Sequence, residues 1–205
     1  MKELLPQLGA PRPERADAVR NRALLLETAR ALMAERGASN VTMDGLAERS
    51  GLGKGTVFRR FGSRAGIFRA LLNEEESALQ QAVLSGEPPL GPGAPALQRL
   101  IAYGVARIEF LFEHLDIARA TLDGGQAVPA GSESPLSRLH IRMLLREIQP
   151  AVEDVDILAA QLTAALDGPL MLHLPTGDLS PTGVERMRRA LVQGWVDLIT
   201  QVCKP

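Results

Sequence analysis

The sequence predicts an all-α chain, with a small N-terminal unit of three helices followed by a larger helical domain. Three observations lead there. Apolar residues recur at helical spacing along most of the chain, alternating runs of β-branched residues are nearly absent, and aromatics make up only 3% of 205 residues. Clusters of Pro and Gly then divide the apolar periodicity into segments of helix length.

The first helix is expected over residues 20–36. Leu25, Ala29, Leu32 and Met33 fall on one face, and Gly37 follows Arg36 as a C-terminal cap after a basic last turn. Two short helices, 42–49 and 53–60, are separated by Ser50, Gly51 and Leu52. Ser63 is a suitable N-cap for a fourth helix with Ile67, Leu71 and Leu72 on its apolar side, ending where SGEPPLGPGAP begins. Further helices are expected near 96–113, 115–123, 134–148, 153–173 and 181–202, broken by GGQAVPAGSESP, Pro150 and PTGDLSP. The last two carry long apolar seams, Val155 to Leu166 and Val184 to Val202, able to serve an internal core or a partner helix. This reading divides the chain into a flexible basic arm (1–19), a first domain (20–80) and a second (81–205).

Charge is distributed unevenly. The formal net charge is -1, but residues 1–72 hold 13 Lys and Arg against 7 Asp and Glu, and residues 73–205 hold 10 against 17. A basic first third joined to an acidic remainder points to a polyanion as partner of the first part alone. Arg12, Arg15, Arg20 and Arg22 extend the basic character toward the N-terminus, where a mobile arm can reach a minor groove or simply add diffuse attraction.

Residues 42–64, TMDGLAERSGLGKGTVFRRFGSR, read as a helix-turn-helix. Thr42 is placed to cap the first helix, and Leu46 with the small Ala47 faces inward where two helices cross. Gly51 suits a left-handed helix end, Leu52 fills the turn, and Val57 and Phe61 anchor the second helix. Lys54, Gly55, Thr56, Arg59 and Arg60 are left outside. Arg59 and Arg60 are suited to guanine edges in the major groove and a Thr56 methyl to thymine, while Lys54, Thr42, Thr56 and Arg64 suit phosphates. Gly55 lets the backbone approach the duplex, and no acidic residue occurs from Gly51 to Gly66.

This pattern, together with the Gly-ended first helix, resembles the N-terminal domain of the TetR family over residues 20–80. LDGPLMLHL is similar to part of that family's penultimate helix. Gly53 stands where the family usually has a capping Ser, Met33 replaces a usual Phe, and Phe58 replaces the commoner Tyr at a DNA-contacting position. The resemblance implies a homodimer formed through helices 153–173 and 181–202, bound to palindromic operator DNA and released by a small-molecule effector. It also implies a C-terminal ligand pocket, for which Tyr103, Phe110, His114, Met143, Met171 and His173 are the candidate lining residues, each equally suited to a plain core role.

Other functions find less support. GLGKGT lacks P-loop spacing: Glu48 stands where the first Gly belongs, and Gly55 follows Lys54 in place of Ser or Thr. The three histidines have no ligand spacing, so neither a metal nor a cofactor is expected, and no nucleophile elbow or carboxylate–histidine arrangement suggests an enzyme. The rival from another class is a helical ligand-binding or scaffolding protein that shares the fold without operator recognition. A single cysteine, Cys203, and the lack of an apolar span or leader give a cytoplasmic expectation, with no membrane partner.

Overall fold

The structure, a computed structural model, describes residues 13–121, 135–173 and 180–204, with side chains from residue 17 onward except at 135 and 170–173. Among the described residues the chain is wholly helical apart from turns and loops. The helices are α1 (Pro13–Arg36), α2 (Met43–Ser50), α3 (Lys54–Phe61), α4 (Arg64–Ser85), α5 (Ala96–Glu113), α6 (Leu115–Ala120), α7 (Pro135–Ile148), α8 (Val155–His173) and α9 (Pro181–Val202). A 3₁₀ turn at Ala38–Asn40, which apolar periodicity does not reveal, joins α1 to the segment before α2. No helix among the described residues is long and apolar enough to cross a membrane.

The helix ends follow local chemistry. Thr42 caps α2 by accepting the Gly45 amide at 3.0 Å, and Ser63 accepts the Gly66 amide at 3.1 Å at the start of α4. Ser180 does the same for α9, accepting from Gly183 at 3.1 Å, with Pro181 at a helix-start position where its missing N–H costs nothing. Gly51 closes α2 in the left-handed region at φ 70°, as the turn requires.

Two expectations change. Residues 13–19 continue α1 rather than forming part of an arm, because Pro13 can open a helix and nothing in ERADAVR interrupts it; residues 1–12 lie outside the described part. The chain divides into two compact units inside α4, between Ile67 and Phe68, not near residue 80 on the same helix.

In the first unit the core is built from Leu25, Leu26, Ala29 and Leu32 of α1, with Val41, Leu46 and Val57. Arg49 and Glu35 form a bidentate pair at 2.5 and 2.6 Å that joins α2 to α1, and this pairing holds the Glu35 carboxyl below its usual range. In the second unit the core centres on α5, α7, α8 and α9, with Leu100, Ile141, Leu144, Leu145 and Ile199 fully buried. Trp195 of α9 lies against Gly104 of α5 and donates its indole N–H to the Ile101 carbonyl at 3.2 Å. Leu158, Leu162 and Leu166 of the first expected seam and Trp195 of the second are buried within the chain, whereas Leu198 of the second, and Ile157 beside the first, are exposed.

Candidate DNA interface

The interface is built on α3. Val57 is completely buried and Phe61 half-buried, which fixes one side of the helix against the first unit's core. Lys54, Gly55, Phe58 and Arg59 share the opposite, exposed side at spacing i, i+1, i+4 and i+5. Phe58 is 62% exposed, a large apolar ring that the protein's own packing does not use. Arg59 is exposed and has no ion pair or hydrogen bond among the described residues.

Gly53 and Gly55 are equally exposed, and a Cβ placed on either meets nothing within 4 Å. Neither has a left-handed backbone, so neither packing nor torsion in the protein demands glycine there. Gly66 differs, because a Cβ there would lie 1.9 Å from the Phe61 carbonyl oxygen; glycine is what lets α4 begin so close to the end of α3.

The other sequence-predicted residues occupy distinct places. Thr42 is exposed; its oxygen accepts from Gly45, leaving the hydroxyl hydrogen to donate elsewhere. Lys54 pairs with Asp44 at 2.9 Å, but both are more than 70% exposed, so the pair is weak and easily exchanged for a phosphate. Thr56 is half-buried on the flank of α3, next to Arg60, whose Nη2 donates to the Ala18 carbonyl of α1 at 3.0 Å. Arg64 turns inward. Its Nε donates to the Val41 carbonyl at 2.8 Å and its Nη2 to the Ala38 carbonyl at 2.5 Å, tying the start of α4 to the segment that leads into α2.

A family description, bacterial regulatory proteins of the tetR family, matches residues 25–71, which cover the helix-turn-helix and the helix before it. Residues 25–71 therefore resemble the DNA-binding part of that family. Solved TetR-type structures resemble nearly the whole chain. A TetR-family regulator from Pectobacterium atrosepticum shares 20% identity with a TM-score of 0.61, over 92% of this chain and 96% of its own. RolR in complex with resorcinol shares 18%, with a TM-score of 0.62 over 92% and 95%. A tetR-family regulator from Streptomyces coelicolor shares 19%, with 0.52 over 90% and 82%. At these identities the likeness is one of fold. No curated protein matches the sequence.

The second unit holds a buried polar cluster that the sequence reading missed. Arg107 of α5, Glu76 of α4 and Asp167 of α8 are nearly inaccessible, with Arg107 at 3.2 Å from Glu76 and 3.4 Å from Asp167. Burial pushes the Asp167 carboxyl up to about 6 despite the Arg107 guanidinium. Burial also opposes the charge on Arg107, yet Asp167 and Glu76 outweigh it and raise its pKa. Of the pocket candidates, Tyr103 and Phe110 are buried on the same face of α5 as Arg107, which lies over the Phe110 ring at 5.5 Å, and His114 contacts Phe110 at 4.7 Å between ring centroids. Met143 is 48% exposed on α7, apart from this group, while the Met171 and His173 side chains lie outside the described residues. Arg107, Glu76 and Asp167 escaped notice because charged residues on long helices ordinarily read as solvated faces.

Proposed function

We propose that the chain is a homodimeric repressor that binds a palindromic operator through α3 and is released by a small-molecule effector held in the second unit. The face of α3 carries this reading: Lys54, Gly55, Phe58 and Arg59 form an exposed strip beside the exposed Gly53, and the protein's own folding requires neither glycine. A basic helix with a thin first turn fits the major groove. Arg59 reads a base edge, with Arg60 beside it once it leaves the Ala18 carbonyl; Gly55 allows close approach, and Phe58 offers apolar contact to a thymine methyl. Lys54, Thr42 and Thr56 hold phosphates, and Arg64 supports them through the segment it fastens.

Dimerisation through α8 and α9 is favoured by their apolar residues left outside, Ile157 at 56% and Leu198 at 38% exposure. Two copies would set two α3 helices on successive turns of the major groove, and the protein would act in the cytoplasm. Effector control is favoured by the buried polar cluster, and RolR's resorcinol complex shows that this fold can hold a small aromatic. Titrating the protein with DNA from upstream of its own gene, across a salt series, tests the proposal. Sequence-selective binding is expected, weakened by Arg59→Ala by about 1–3 kcal/mol at one base position. Binding that is equal on unrelated DNA would instead favour a ligand-binding or scaffolding role.

A further inference from the structure

The exposed strip of α3 contains one side chain that cannot form a hydrogen bond. Phe58 is 62% exposed, next to Arg59 and four residues after Lys54. Phe61, on the same helix, shows where a phenylalanine goes when packing uses it, since it is half-buried beside the fully buried Val57. Single exposed apolar residues are ordinary, and exposure alone explains nothing. The surroundings of Phe58 say more. Helical side chains lean toward the N-terminus, so Phe58 and Arg59 both lean over the turn that holds Gly55, three residues before the one and four before the other. Gly55 fills none of that space, and a Cβ there would meet nothing within 4 Å. The ring and the guanidinium therefore share open room on the side of α3 that the first unit's core leaves uncovered.

We infer that Phe58 reads the 5-methyl group of a pyrimidine beside the guanine that Arg59 reads, so that operator binding depends on base methylation as well as on base sequence. A phenyl ring can neither donate to a phosphate nor bond to a polar base edge. Among the groups that bases present in the major groove, the 5-methyl group is the apolar one. Thymine carries it by nature and 5-methylcytosine by modification, whereas uracil and cytosine lack it and pair in the same ways. Position on the helix agrees. Around the surface of α3, Phe58 lies between Lys54, suited to a phosphate, and Arg59, suited to a base edge, and so faces the part of the groove between backbone and base edges. A ring that makes no hydrogen bond does not distinguish the O4 acceptor of thymine from the N4 amino group of cytosine, so 5-methylcytosine can stand in for thymine.

The inference rests on the operator-binding reading proposed above, and the test separates the two. The full-length protein selects its site from a pool of random-sequence duplexes. Each thymine of the selected site is replaced in turn by deoxyuridine, and the thymine that responds is then replaced by cytosine and by 5-methylcytosine, each paired with guanine. Deoxyuridine at one thymine of each half-site, next to a guanine, should weaken binding about fourfold, the effect of leaving one methyl group unburied. At the same position 5-methylcytosine should bind about fourfold more tightly than cytosine. Phe58→Ala should abolish both differences and Phe58→Leu should keep them, with melting temperatures unchanged because the ring lies outside the core. Equal affinity for thymine and deoxyuridine at every position, or methyl differences that survive Phe58→Ala, overturns the inference while leaving operator binding intact. Failure to enrich any sequence from the pool overturns the operator-binding reading, and the inference with it.

Discussion

Gly55→Ala separates folding from function on α3. Glycine in a helix costs about 0.5–1 kcal/mol relative to alanine, through the extra freedom it loses on folding. At Gly55 nothing offsets that cost inside the protein, since the added Cβ finds no atom within 4 Å and the backbone is not left-handed. The substitution should therefore stabilise the chain by up to about 1 kcal/mol, a rise in Tm of about 2–4 °C for a cooperative unit of this size. The same methyl would stand between α3 and a docked duplex, where a lost close contact is worth about 1–3 kcal/mol of operator affinity. The assay pairs thermal and urea unfolding with operator titration at fixed salt on one protein preparation. A lower Tm, or an unchanged operator affinity, would refute the claim that Gly55 serves the DNA and not the fold.

Arg59→Ala and Arg64→Ala should separate in the same pair of assays: the first weakens operator binding with stability changed by less than about 0.5 kcal/mol, the second lowers stability by about 1–3 kcal/mol by removing its bonds to the Ala38 and Val41 carbonyls, of which Ala38 keeps the Val41 amide, with DNA binding falling as a consequence. Gly104→Ala forces a Cβ to within 1.9 Å of the Trp195 indole and should destabilise by at least about 1–3 kcal/mol, with red-shifted fluorescence from the single tryptophan. The pH dependence has two opposing parts. Asp167, raised from 3.8 to about 6, holds its proton more tightly when folded, so its contribution is present below pH 4 and lost as pH rises through 6, by about 2–3 kcal/mol. His140, lowered from 6.5 to about 4, contributes above 6.5 and loses that as pH falls through 4, by a similar amount at most. Urea midpoints of the wild type should be nearly flat from pH 4.5 to 6.5, whereas Asp167→Asn should gain stability with rising pH over that window; a flat profile for the variant counts against the burial of His140.

The helices were legible because their signals are local. Caps such as Thr42 and Ser180, stops such as Gly51, and apolar spacing each act within a turn or two, and α5 and α9 lie where the sequence places them. The inward and outward sides of α3 followed from the same periodicity. What Arg60 and Arg64 do in the folded chain did not, since their acceptors are 42 and 23 to 26 residues away on other elements. The second unit's polar cluster was hidden for the same reason: Glu76, Arg107 and Asp167 meet only through tertiary packing. Met143 shows the opposite error, where an apolar side chain suited to a pocket belongs to the exposed side of α7.

Two regions depart from what folding alone would select. A chain optimised only for stability would place alanine at Gly55, and it would not enclose Glu76, Arg107 and Asp167, since a buried ionic cluster is often no more stable than an apolar one of equal volume. The departures differ in kind. On α3 the missing element is a side chain, which leaves room for a partner of fixed shape; around Arg107 charged groups are enclosed where apolar ones would pack as well. The basic excess lies within residues 1–72, whereas residues 73–205 hold more acidic than basic residues, so attraction for a polyanion is confined to the first part of the chain.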